Sequence, residues 1–187
     1  VMASYDEAWS TKSLPYLRMR LDGPKFWSRE VKLPLSNEKN LESFLLAHPK
    51  AFGFDHSLFR WTRVFNSSQL AVQLRVANKV SRSFVPETIT VVKRGPSGRA
   101  IVLKIVGKTG SEVLLRLDDI RRVFRQLPST LFVVNEVKEG QWHFSGGGFG
   151  HGVGMSQSGA IELGRNGWTT EQILSHYYPK TKYEFLP

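Results

Sequence analysis

Trp142-His143-Phe144-Ser145-Gly146-Gly147-Gly148-Phe149-Gly150-His151-Gly152-Val153-Gly154-Met155-Ser156-Gln157-Ser158-Gly159-Ala160 passes from a strand pattern through a run of glycines into a helical pattern. Six glycines fall within residues 146–154. Secondary-structure propensity does not account for them, because glycine loses the most backbone freedom on folding and adds no side chain to a core. Two physical reasons remain: φ angles that only glycine takes cheaply, and close approach of a ligand or another segment to bare backbone. The polar residues set among these glycines, His151, Ser156 and Gln157, are the candidate binding or catalytic side chains.

Working outward, the residues on both sides alternate between strand and helix signals. Upstream, Leu131 to Val137 and Trp142 to Ser145 read as strands leading into the glycines. Before them, Glu87 to Lys93, Ala100 to Val106 and Val113 to Leu117 are β-branched and apolar. Gly95-Pro96-Ser97-Gly98 and Gly107-Lys108-Thr109-Gly110 punctuate these runs as hairpin connections. Asp118 to Arg125 reads as a short helix, acidic at its start and basic at its end, as the helix dipole favours. Phe59 to Phe65 alternates as a half-buried strand, and Asn66, Ser67 or Ser68 caps a helix with Leu70, Leu74 and Ala77 on one face. Asn40 to Ala47 reads as a short helix capped by Ser36 or Asn37 and stopped by Pro49, and Tyr16 to Leu21 as an edge strand. Downstream, Met155 to Leu163 forms a helix closed by Gly164 or Gly167. Thr169 or Thr170 caps Glu171 to His176, and Lys182 to Leu186 reads as a terminal strand. Mixed strands and helices of this kind predict an α+β fold of mainly antiparallel strands with several short helices.

The whole chain agrees with one globular unit: 187 residues, of which 41% are hydrophobic, 12% aromatic and 22% charged. The chain has no cysteine, which removes thiol nucleophiles and thiolate metal sites. No apolar run approaches the length of a membrane span. The net charge of +10 favours polyanions, but the cations Lys104, Lys108, Arg116, Arg121, Arg122 and Arg125 are interspersed with other residues rather than clustered. With no groove-reading or base-stacking motif, nucleic acid ranks last among partners.

Several chemistries fail at the glycines. Gly154 and Gly159 have Walker A spacing, but Ala160-Ile161 stand where lysine and a hydroxyl residue belong, and no frame gives Gly-x-Gly-x-x-Gly. Gly154-Met155-Ser156-Gln157-Ser158 lacks the final glycine of a serine elbow. Ser156 is then a helix cap or a ligand-bonding hydroxyl before it is a nucleophile. His48, His56, His143, His151 and His176 show no helical metal-ligand spacing, so no metal is expected, and nothing calls for a cofactor. His176, beside two tyrosines at a helix end, reads as a packed or capping residue. His151 differs because flanking glycines leave its ring unshielded, for bonding to a polar ligand, for proton transfer, or for a turn bond to nearby backbone.

Gly150-His151-Gly152-Val153-Gly154-Met155-Ser156-Gln157-Ser158-Gly159-Ala160, then Gly167, then Ile173-Leu174-Ser175-His176-Tyr177-Tyr178-Pro179, resembles the C-terminal signature of the SpoIID/LytB domain. Trp9 followed by Pro15-Tyr16-Leu17, Phe59-Arg60-Trp61, and Ile120-Arg121 extend the likeness over nearly the whole chain. The resemblance implies a single SpoIID/LytB-like domain outside the cytoplasm, acting on peptidoglycan glycan strands stripped of stem peptides. It implies a lytic transglycosylase or an amidase enhancer, with an N-acetylmuramoyl-L-alanine amidase as partner, and a link to sporulation through the member that gives the family its name. His151, Gly152, Gly154, Ser156 and Gln157 carry over as substrate-binding positions, with Phe149 or Trp142 as a sugar-stacking face. The chain departs from the family at two points, one being the absence of the cysteines that in some members help bind zinc, and the other concerning catalysis. The catalytic glutamate of a Glu-x-Pro motif has no counterpart, Glu87 follows Pro86 instead, and the expectation is an acid in an absent N-terminal segment or a relative that does not cleave. Glu162 is the acid nearest the signature.

Overall fold

A computed structural model describes residues 1–9, 14–24, 29–47, 51–182 and 184. The expected terminal strand falls partly on residues 183, 185 and 186, and the expected stop at Pro49, with His48, on residues 48–50, so these lie outside the described residues.

Two three-stranded antiparallel sheets carry the fold. β1 (Trp61–Asn66), β6 (Gln141–Gly146) and β5 (Phe132–Lys138) form one, in the order β1-β6-β5. β2 (Pro86–Arg94), β3 (Ala100–Gly107) and β4 (Glu112–Arg116) form the other, in chain order. The hairpin signals at 95–98 and 107–110 form the β2-β3 and β3-β4 turns, where Gly98 and Gly110 take φ +85° and +79°. The fold is α+β, as expected.

One apolar core joins the sheets. Phe65, Phe132, Trp142 and Phe144 from the first meet Ala100, Leu103, Ile105 and Leu115 from the second. The ring centroids of Phe65 and Phe132 stand 5.3 and 5.2 Å from that of Phe144. Helices close the open sides. Asn66 accepts from Gln69 N–H and starts α2 (Ser67–Val76), which buries Leu70, Ala71 and Leu74. α3 (Asp119–Val123) adds Ile120 and Val123. α1 (Glu38–Leu46), capped by Asn37, lies on the other face of the first sheet, where Leu41, Phe44 and Leu45 pack with Leu131 and Val133. The Arg60 guanidinium donates to the carbonyls of Phe44 and Leu45 at that helix's end.

α4 (Gln157–Arg165) and α5 (Thr170–Tyr177) follow the glycines and pack through Leu163, Ile173 and Tyr177. Residues 16–21 differ from expectation. They make one isolated bridge, Arg20 to Met2, and no strand, because their other backbone bonds to the opening segment, Tyr5 N–H to Leu17 O and Met19 N–H to the Ser4 hydroxyl, do not build a ladder. Among the described residues, no helix is long and apolar enough to cross a membrane.

Candidate functional site

The glycines after β6 form a loop tied down at almost every step. Gly147 N–H donates to Leu131 O, Gly148 N–H to Phe59 O and Gly150 N–H to Pro128 O. Trp61 Nε1 donates to Gly148 O at 3.0 Å, the buried Ser129 hydroxyl to Gly147 O at 2.8 Å, and Ala3 N–H to Gly152 O at 2.8 Å. Gly148, Gly150, Gly152 and Gly154 all have φ between +75° and +83°, the left-handed region that disfavours residues with a Cβ. Close approach is the second reason for glycine. A Cβ on Gly146 would overlap the Trp61 ring and one on Gly152 the Arg99 guanidinium, whereas Gly148 and Gly150 face open space.

This loop presents His151 to solvent. Its Nδ1 accepts from Val153 N–H at 3.1 Å, so the neutral ring carries its proton on Nε2 and offers a donor. Partial burial, then the positive charges of Arg99 and Arg121, hold its pKa below the ordinary imidazole value. The ring is therefore neutral near pH 7. Trp9 lies against it at 5.0 Å between centroids, and Tyr5 against Trp9 at 4.6 Å. Two residues before His151, Phe149 is 67% exposed, with the Arg121 guanidinium 5.9 Å from its ring centre. Phe149 thus offers a stacking face; Trp142, 1% exposed, belongs to the core and does not.

Beneath the loop is Arg99, 3% exposed. Burial pulls its pKa down to about 10, nearby Glu7 opposing and Arg121 adding to the fall. Among the described residues its Nε and Nη1 have no hydrogen-bond partner, and neither has Arg121 Nε. Glu7, also buried, does not fill that need. It accepts instead from Ser4 N–H and from the Ser97 N–H and hydroxyl.

Other expected site residues divide. Gly154 sits under the Tyr178 hydroxyl, which also accepts from Met155 N–H. Ser156 caps α4 by accepting from Gly159 N–H at 3.2 Å and lies 3.3 Å from the Ser158 hydroxyl, so its oxygen has structural work. Gln157 is exposed at the first position of α4. His176 is packed rather than presented: its Nε2 meets Asp22 Oδ1 at 3.0 Å, and the buried Tyr177 hydroxyl donates to Oδ2 at 3.2 Å. Burial first, then the Asp22 charge, pushes the Tyr177 phenol well above its ordinary value.

Four carboxylates of the surrounding elements are engaged. Asp118 pairs with Arg121 and Arg122, Glu162 accepts from Gly53 N–H, and Asp22 and Glu7 are buried among donors. At the start of the loop, a cleft of about 510 Å³ lined by Glu42, Arg60, Thr62, Asn135, Ser145 and Gly146, among others, continues the surface toward α1.

Arg99, Trp9 and Arg121 are the residues that sequence reasoning did not assign to the site. Trp9 enters the sequence reading only through the family likeness, and Arg99 does not enter it. No periodicity marks either, since both reach His151 through tertiary packing.

The family model described as Domain of unknown function (DUF8618) matches residues 3–154, from the segment under the loop to the loop's own last glycine. No curated protein matches the chain.

Proposed function

We propose that this chain, which belongs to the family described as Domain of unknown function (DUF8618), binds glycan strands of peptidoglycan outside the cytoplasm and serves in their lytic cleavage. One observation carries the reading: a neutral, outward His151 donor lies against the exposed ring of Trp9 and two residues from the exposed ring of Phe149, on a loop whose glycines at 148 and 150 leave backbone open. Sugar rings present apolar faces rimmed by hydroxyl and N-acetyl acceptors, and such a surface meets both needs. The SpoIID/LytB resemblance of the same stretch supports the choice of glycan. Gln157, exposed beside the loop, adds a donor and an acceptor.

In lytic cleavage a carboxylic acid protonates the glycosidic oxygen and then takes the proton of the muramyl 6-hydroxyl as the 1,6-anhydro ring closes. The residues of this loop would hold the ring near that geometry. The neutral Nε2–H tautomer of His151 makes it a donor and not the base.

A second reading, a glycan-binding and amidase-enhancing module without cleavage of its own, is favoured by the engagement of Glu7, Asp22, Asp118 and Glu162. Incubation with stripped strands separates the two. Pelleting with the strands plus 1,6-anhydromuramyl products by mass spectrometry supports cleavage, and pelleting without products supports the module. Failure to pellet overturns both.

A further inference from the structure

The donors that gather around the glycine loop outnumber their acceptors. Arg99 is 97% buried by its 3% exposure, yet Nε and Nη1 have no partner among the described residues. Arg121 Nε is likewise buried and unpartnered, although its Nη1 meets Asp118 Oδ1 at 3.2 Å. His151 offers Nε2–H, since Nδ1 is occupied by Val153 N–H. Unmade hydrogen bonds of buried charged groups are costly, and like charges held together add to that cost. Asp118 meets only the outer nitrogen of Arg121, so the remaining donors are satisfied by an acceptor that arrives from outside, and planar guanidinium donors match the two oxygens of a carboxylate.

We propose that Arg99 and Arg121, together with the Nε2–H of His151, form a subsite for a carboxylate on the bound strand. Arg121, whose side chain is 23% exposed beside Phe149, is the arm that ligand reaches first. Arg99 supplies charge from below the bare backbone of Gly152. The inference rests on the glycan reading above. In peptidoglycan a carboxylate has two sources: the lactyl group of muramic acid once the stem peptide is gone, and the stem peptide itself.

The test measures equilibrium binding at about 150 mM salt, where surface charges are largely screened. Four preparations are compared: stripped strands, peptide-bearing strands, and each of these with its carboxylates converted to amides. Wild type is expected to lose about tenfold or more in affinity when the carboxylate it reads is amidated. Loss on amidating stripped strands assigns the lactyl group, and loss only on amidating peptide-bearing strands assigns the peptide. Arg121→Gln is expected to abolish the discrimination while still binding amidated strands, and Arg99→Lys to reduce it. Lys138→Gln, an exposed cation on β5, keeps it. Equal binding of all four preparations by wild type overturns the subsite and leaves the glycan reading standing. Binding of none overturns both, and equal loss of discrimination in Lys138→Gln overturns the subsite in favour of diffuse charge.

Discussion

Replacing Gly152 by alanine separates the two reasons for glycine at one position. Gly152 has φ +76°, and an added Cβ would stand 2.6 Å from Arg99 Nε and closer still to its Cζ and Nη2. Left-handed strain on a residue with a Cβ costs about 1–2 kcal/mol, and forcing a methyl group against a packed, buried side chain about 1–3 kcal/mol. The sum is about 2–5 kcal/mol, a large part of the roughly 5–15 kcal/mol that holds a domain folded. Gly150 is the control: φ is +83°, and an added Cβ meets nothing within 4 Å. Gly150→Ala should therefore cost only the strain, about 1–2 kcal/mol. Urea denaturation of wild type and both variants, with equal m-values as the check on two-state behaviour, gives the difference. Equal destabilisation by Gly152→Ala and Gly150→Ala would refute the claim that Arg99 lies against bare backbone there.

Further expectations follow from the same geometry. Ser156→Ala should lower stability by about 1 kcal/mol through loss of the α4 cap while glycan affinity is largely kept; the reverse pattern in paired unfolding and binding measurements would return Ser156 to the ligand. Trp9→Ala should weaken glycan binding about tenfold, since an aromatic contact is worth on the order of 1–2 kcal/mol, and unchanged affinity by titration calorimetry would remove Trp9 from the site. Asp22→Ala strands the buried Tyr177 hydroxyl and should destabilise by about 1–3 kcal/mol, read as a lower melting temperature; a change below the error of the scan would contradict that bond. The depressed His151 pKa has a definite sign: between its folded value and the ordinary 6.5 the unfolded chain holds more protons, so this residue's contribution is full above 6.5 and is lost as pH falls through the folded value. His151→Gln should flatten that part of the stability profile measured by denaturation at stepped pH, and an unchanged slope would assign it elsewhere.

Much of this fold is legible because its elements announce themselves locally. Asn37, Asn66 and Thr169 each cap the helix that follows, and Gly98 and Gly110 turn their hairpins, all through interactions spanning a few residues. Residues 16–21 show the limit of that reading: alternation favours a strand, but a strand also needs a partner edge, and of these residues only Arg20 bridges to one, at Met2. Within the site, glycine density marked the loop and His151 correctly as an open, left-handed segment with close neighbours. Trp142 misled because alternation does not say which face of β6 is the buried one; it lies among the core rings. Arg99 was invisible for a deeper reason. Its isolation from acceptors is a property of what surrounds it in space, and Glu7, the carboxylate that would have paired it, is taken by Ser4 and Ser97.

The central claim is that the glycine loop and its flanking rings are where glycan binds. Amide and indole chemical-shift mapping of the labelled protein, titrated with fragments of stripped glycan strand, tests it residue by residue. The account predicts that the largest shifts fall on Gly148 to Gly152, the Trp9 indole and Gln157. Shifts clustered instead around Trp168, Glu171 and Ser175 at the separate cleft on α5, or no shifts at saturating fragment, would contradict it.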